Sequence, residues 1–291
     1  MSKRKRFSDF DSNKYIYFIA EIGINHNGSL DIAKKLIDMA KELGCDAVKF
    51  QKRDINTVYT KDFLTQHRES PWGKTQLDQK NGLEFSLEDY KEIDSYCRQK
   101  SIEWFASSWD CKSQVLMRQF NFPFNKVASA MATNKEFVEL VASESIPTFV
   151  STGMTTFDDI DFIVKTFEKY SCEIMLMHTV SLYPCLESQL NLNCLYTLKK
   201  KYNLPVGYSG HEVGVSPSIV AASMGASAIE RHITLDRAMY GSDQSASLQK
   251  DGIRELVDII RKIPSLKGHG NKVILEEEIK VANKLRYWTQ K

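Results

Sequence analysis

Short apolar runs recur along the chain, each closing on a polar or ionisable residue. They are "YIYFIA" (15–20), "DAVKF" (46–50), "IEWFAS" (102–107), "NKVAS" (125–129), "PTFVS" (147–151), "EIMLMH" (173–178), "PVGYS" (205–209) and "SAIERH" (227–232). Their length and apolar content predict eight buried β-strands. Helix-length amphipathic stretches separate them. In "SLDIAKKLIDMAKELG" (29–44), Leu30, Ala33, Leu36, Ile37 and Ala40 share one face, with Ser29 placed to cap the start and Gly44 the end. Similar stretches occupy 86–100, 111–119, 134–144, 156–168, 191–202 and 215–225, with a last one near 250–262. Eight strand–helix alternations predict an α/β fold, the (β/α)8 TIM barrel. An open doubly wound sheet is the alternative, but no G-x-G-x-x-G follows the first strand. Residues 51–85 are too long for a simple connection. Trp72, Gly73 and Asn81-Gly82 mark them as an elaborated loop over a site. The expected organisation is a polar arm over 1–14, a barrel over 15–270 and a helical C-terminal extension over 271–291.

A barrel concentrates its chemistry at the C-terminal ends of its strands. In chain order those ends carry Glu21, Lys49 with Gln51, Ser107 and Ser108, Lys126 with Ser129, Ser151 and Thr152, His178 with Ser181 and Tyr183, Ser209 with His211, and His232. Any one of them has an ordinary explanation, because strand ends are wet. Eight together, with two lysines and three histidines on otherwise apolar strands, call for another. Lysines beside small hydroxyls suit a compact anion, phosphate above all; Lys49, Lys126, Ser129, Ser151 and Ser209 fit that description. A lone buried histidine is usually a satisfied core residue. His211 and His232, at matched positions on adjacent strands, instead suit one divalent cation with open positions for substrate. Two protein ligands favour an exchangeable Mn2+ or Mg2+ completed by water over structural zinc.

Composition narrows the class. The 291 residues are 42% hydrophobic, enough for a large core, and 39 basic residues against 37 acidic leave a net charge of only +2. That balance predicts no nucleic-acid surface. Lys3-Arg4-Lys5-Arg6 reads as a solvated basic tail. No apolar run approaches the ~20 residues of a membrane span, and the N-terminus lacks the apolar core of a signal peptide. Cys45, Cys97, Cys111, Cys172, Cys185 and Cys194 show no C-x-x-C spacing and read as reduced thiols of a cytoplasmic protein, with Cys111 and Cys185 nearest a site.

The stretches "IAEIGINHNGSLDIAKKLIDMAKELGCDAVKFQ" (19–51), "STGM" (151–154), "HTVSLYPCLESQLNL" (178–192), "GYSGHEVG" (207–214), "ERHITLD" (230–236) and "GSDQSASL" (241–248) resemble the sialic acid synthase family, in order and across nearly the whole barrel. The resemblance implies condensation of phosphoenolpyruvate with the aldehyde of an open-chain amino sugar such as N-acetylmannosamine. The products would be a 3-deoxy-2-ulosonic acid and phosphate. It implies His211 and His232 as metal ligands, and Lys49, Ser108, Lys126, Ser129, Ser151 and Ser209 as the phosphoenolpyruvate cradle. Glu21 would handle a proton or orient water, and Gln51, Tyr183 and Asp243 would meet the sugar. His178 aligns with a family histidine that is not assigned to the metal.

The departures carry expectations of their own. Met131 stands where relatives often have glutamate, which throws proton handling onto Glu21. Ser181 replaces an asparagine that meets the sugar, and Ser209-Gly210-His211 replaces Ser-Asp-His; both suggest a changed acceptor. The chain ends about where the family's antifreeze-like domain would begin. That domain closes a neighbouring subunit's site in relatives, so a sugar site that is either more open or closed by the 51–85 loop is expected, and a homodimer stays an open expectation. Two other readings remain: a Schiff-base lyase using Lys49 or Lys126, and a non-catalytic barrel that binds a sugar phosphate.

Overall fold

The computed structural model describes residues 6–289. Strands β1 (Tyr17–Gly23), β2 (Ala47–Lys52), β3 (Glu103–Ser108), β4 (Asn125–Val127), β5 (Thr148–Ser151), β6 (Ile174–Thr179), β7 (Val206–Gly210) and β8 (Ala228–His232) pair in parallel, each with its chain neighbour, and β8 closes on β1. The eight predicted strands are thus the eight staves of a TIM barrel, with no end displaced by more than three residues. Helices α1 (Leu30–Glu42), α2 (Leu87–Lys100), α3 (Cys111–Met117), α4 (Lys135–Ser143), α5 (Phe157–Lys169), α6 (Cys194–Tyr202), α7 (Ser216–Ser223) and α8 (Lys250–Lys267) follow the strands in turn.

Local chemistry sets the helix ends. The Ser29 hydroxyl accepts from the Ile32 N–H, and Gly44, at φ +76°, turns the chain out of α1. Ser86 with Asp89, and Thr156 with Asp159, form capping boxes at α2 and α5. The sequence placed the end of α8 near 262; the helix runs on through Pro264 to Lys267.

The arm before β1 packs on the barrel through an aromatic side chain, while Arg6 stays exposed. Phe7 is buried, its ring stacked on Phe124 at 5.4 Å and edge-on to Phe149 at 4.7 Å, so it plugs the N-terminal end of the barrel. Arg6 pairs with Glu173 at 2.6 Å, while the rest of the basic cluster lies outside the described residues. Residues 51–85 hold more structure than a loop. Two short helices (Ile55–Val58, Lys61–Leu64), a hairpin (His67–Ser70, Gly73–Thr75) and a third helix (Gln76–Leu83) form an excursion from β2. Trp72 occupies the side-chain space of Gly82, where an added Cβ would lie 2.1 Å from Trp72 Cγ. The Trp72 ring also meets Tyr240, 5.7 Å away in the β8–α8 loop. That contact ties the excursion to the barrel mouth.

Beyond the barrel, helix α9 (Glu276–Leu285) buries none of its residues. Among the described residues no helix is long and apolar enough to cross a membrane.

One buried ion pair links the two strands that end in histidine. Arg231, on the outer face of β8, meets the Glu212 carboxylate at 2.8 Å, and both side chains are fully inaccessible. The guanidinium also donates to the carbonyls of Gly214 and Glu212 and to the Ser218 hydroxyl, and Tyr208 donates to Glu212 at 2.8 Å. Removing one partner strands the other charge in the core. Arg231→Met is therefore expected to lower unfolding stability by roughly 3–5 kcal/mol in a denaturant titration, and a loss under about 1 kcal/mol would contradict this reading.

Candidate active site

Strand register sets which side chains share the mouth of the barrel. Glu21 lies opposite both His232 and Lys49, Gln51 opposite Ser107, Ser107 opposite Lys126, and Ser209 opposite Glu230. Because side chains alternate along a strand, these residues point inward together. They line a cavity of about 160 Å³ with Lys49, Lys126, Ser129, Ser151, Ser181, Tyr183, Ser209, His211 and His232.

The cavity floor is a cluster of charges. Lys49 Nζ sits 2.8 Å from Glu21 Oε2 and 3.7 Å from Glu230 Oε1; Lys126 Nζ sits 3.8 Å from that same Glu230 oxygen. Lys126 also donates to the Ser151 hydroxyl at 2.6 Å, Ser209 donates to Glu230 at 3.1 Å, and Gln51 donates to Glu21 at 2.7 Å. Both lysines are 3% exposed. Burial works against the Lys49 ammonium, but Glu21 and Glu230 outweigh it and hold its pKa above the usual value. Lys126 has the weaker compensation, and burial brings its pKa down to about 8. Burial would raise the Glu230 pKa, yet Lys126 and Lys49 keep it below the ordinary carboxylate value.

The histidines stand beside this floor. The His211 and His232 ring centroids are 5.6 Å apart. His211 Nδ1 faces the Val180 carbonyl at 2.8 Å, which assigns it the proton and leaves Nε2 as the acceptor, 2.9 Å from the Tyr183 hydroxyl. Burial pushes the His211 pKa down to about 3, so the ring is neutral near pH 7. His232 Nδ1 is buried without a hydrogen-bond partner and lies 3.8 Å from Asp243 Oδ2. A neutral imidazole with an available lone pair, an unpartnered imidazole nitrogen and a nearby carboxylate fit a divalent cation completed by water or substrate oxygens. Among the described residues no group of three or more His, Cys, Asp or Glu side chains converges as a metal cluster.

Placement departs from the sequence reading at several positions. Ser107, not Ser108, faces the cavity, because Ser108 falls on the opposite face of β3; its hydroxyl is buried and unpartnered elsewhere. Gly210 does not line the cavity. A Cβ there would lie 2.5 Å from Glu212 Oε2 and 2.7 Å from Tyr208 Cε1, so the Glu212 carboxylate fills the space outside β7. Asp243 lines a side lobe next to the cavity and touches the site through His232. His178 hydrogen-bonds the Leu190 carbonyl at 2.7 Å and lines a separate pocket. Cys111 and Cys185 do not line the cavity. Ser129 and Ser181 do, and they crowd Gly153, where a Cβ would lie 2.7 and 2.3 Å from their hydroxyl oxygens. Met131 is buried and does not line the cavity.

A further carboxylate lines the cavity. Glu230, overlooked in the sequence, lies two residues before His232 on β8 and so points to the same side. That parity was the available signal.

Known proteins place the chain in a family. The NeuB family profile matches residues 36–272. The chain belongs to the NeuB family. It is 36% identical over 272 residues to the human N-acetylneuraminate-9-phosphate synthase, covering 92% of this chain and 76% of that protein. It is 32% identical over 278 residues to the N,N'-diacetyllegionaminic acid synthase of Legionella pneumophila, covering 93% and 78%. The crystal structure of the N-acetylneuraminic acid synthetase from Leptospira borgpetersenii serovar Hardjo-bovis, in complex with citrate, superposes with a TM-score of 0.82 at 29% identity, covering 94% of this chain and 93% of that one. This NeuB chain is therefore a sialic-acid-type synthase barrel.

Lys126 gives the site a pH signature. Its charge is lost as pH rises through about 8, well below the range of an ordinary lysine. Inorganic phosphate, titrated calorimetrically, is expected to bind roughly tenfold more weakly at about pH 9.5 than at about pH 7, the worth of about one charge-assisted hydrogen bond. Constant affinity over that range would contradict the assignment.

Proposed function

We propose that this protein condenses phosphoenolpyruvate with the aldehyde of an open-chain amino sugar, giving a sialic-acid-like 3-deoxy-2-ulosonic acid and inorganic phosphate. The observation that carries the reading is the meeting, in one small cavity, of two buried lysines with a pair of histidines on adjacent strands. The family relationship supports the same class of product.

Each group has a task in this reading. Lys49 and Lys126, with Ser129, Ser151 and Ser209, bind the phosphate and carboxylate of phosphoenolpyruvate. Gln51, Tyr183 and Asp243 orient the sugar so that its aldehyde carbon faces the methylene carbon of phosphoenolpyruvate. His211 and His232 would hold a Mn2+ or Mg2+ ion, which when bound supplies Lewis-acid polarisation of the aldehyde oxygen. The methylene carbon bonds to the aldehyde carbon, whose oxygen takes up a proton and becomes a hydroxyl. Water adds to the cationic C2, losing a proton to Glu21 or Glu230. Glu230 Oε2 is buried and has no hydrogen-bond partner, so it is open to accept that proton. The C2–O bond to phosphate then breaks and leaves the ketone.

A second reading has one specific observation behind it. A lysine whose pKa has fallen to about 8 is a competent imine-forming nucleophile, and Lys126 is that lysine. Borohydride trapping of a pyruvate adduct would favour this Schiff-base chemistry.

The synthase reading predicts phosphate release only when phosphoenolpyruvate, an amino sugar and a divalent cation are all present. A chelator should abolish release and added Mn2+ restore it. His211→Ala should cost more than the roughly 10- to 100-fold that losing an outer partner of a metal ligand costs. Undiminished release from that variant would remove His211 from the site.

A further inference from the structure

Three groups of the loop between β6 and α6 (residues 180–193) converge on His211. The Val180 carbonyl accepts from its Nδ1 at 2.8 Å, the Tyr183 hydroxyl donates to its Nε2 at 2.9 Å, and the Cys185 N–H donates to its backbone carbonyl at 3.1 Å. The Tyr183 ring also covers the histidine pair. Its centroid lies 4.0 Å from that of His211 and, edge-on, 5.9 Å from that of His232.

A neutral imidazole offers one lone pair, in the plane of its ring. The Val180 carbonyl fixes the His211 proton on Nδ1, so Nε2 is the nitrogen with which this residue would hold a divalent cation. The Tyr183 proton points at that same lone pair. One lone pair cannot serve a phenol and a cation together. No such donor engages His232 Nδ1, which is buried without a hydrogen-bond partner.

The Tyr183 side chain has room to move. It is 47% exposed, and with Gln51 and Trp109 it lines both the catalytic cavity and a second space of about 220 Å³ beside it. Its loop neighbours Leu182 and Leu186 are exposed as well. The two other bonds from the loop to His211 use the main chain of Val180 and Cys185, so they hold the loop in place while the phenol rotates.

We propose that Tyr183 is a latch on the metal position: its hydroxyl caps His211 Nε2, yields that nitrogen to the cation and, once released, becomes a donor to the acceptor sugar. Cation and sugar then draw on opposite ends of one hydrogen bond, the cation on the imidazole and the sugar on the phenol. Each therefore tightens the binding of the other. The proposal rests on the synthase reading for its two ligands, whereas the latch itself is the contact between His211 and Tyr183.

The experiment follows Mn2+ binding through the electron paramagnetic resonance of the free ion, without phosphoenolpyruvate, and N-acetylmannosamine binding by calorimetry on the Mn2+-loaded protein. Tyr183→Phe removes the competing donor and keeps the ring. It is expected to bind Mn2+ roughly 2- to 10-fold more tightly than the wild type, the worth of one hydrogen bond, and N-acetylmannosamine more weakly by a similar factor. A merely loosened fold would weaken both. Mn2+ affinity that the substitution leaves unchanged or lowers, or sugar affinity that it leaves unchanged, overturns the latch while the synthase reading stands. A wild-type protein that binds no Mn2+ overturns the latch together with the metal part of that reading. The opposed shifts, without phosphate release from phosphoenolpyruvate and any amino sugar, would uphold the latch and overturn the synthase reading alone.

Discussion

Lys49 and Lys126 keep their ammonium groups in a space from which bulk water is almost excluded. Burial of that kind costs several kcal/mol per ion unless opposite charge and hydrogen bonds replace the lost solvent. Two glutamates supply the replacement. Glu21 reaches Lys49 from one neighbouring strand, and Glu230, across the barrel on β8, stands between both lysines. Only a closed barrel brings β1, β2, β4 and β8 around one point, so the fold and the charge cluster depend on each other. The compensation is unequal, and that inequality sets the chemistry. Lys49 is held charged, Lys126 is poised near pH 8, and Glu230 keeps one oxygen free for a proton.

The histidines depend on the same construction from its outer side. His211 and His232 each neighbour a member of the buried Glu212–Arg231 pair, which locks the ends of β7 and β8 together. Gly210 belongs to that lock. Its missing side chain makes room for the Glu212 carboxylate and leaves the cavity untouched. A substitution that the sequence suggested would alter the acceptor is thus explained by packing behind the strand.

Much of this was legible in the sequence, and the misses have physical causes. Eight apolar runs with polar ends define strands and one working face, because alternation is a property of the chain itself. The same alternation places Ser107 rather than Ser108, and Glu230 together with His232, on the cavity side. The excursion over 51–85 was recognisable as an elaboration over a site, but its internal structure was not. Its hairpin and helices are held by the Trp72–Gly82 and Trp72–Tyr240 contacts, which join distant segments. The packing of Phe7 in the arm before β1 was hidden for a related reason. The arm's charges are visible in sequence, whereas the aromatic socket that receives Phe7 exists only after the barrel closes.

Carbon–carbon bond formation with water adding at C2 leaves an isotopic record that no phosphatase or imine mechanism reproduces. Phosphoenolpyruvate labelled with oxygen-18 in its bridging position, turned over with an amino-sugar acceptor, should deliver the label to inorganic phosphate, with a ketone oxygen in the ulosonic acid drawn from solvent. Label retained in a keto acid product, with unlabelled phosphate, would mean cleavage of the P–O bond and would contradict the account.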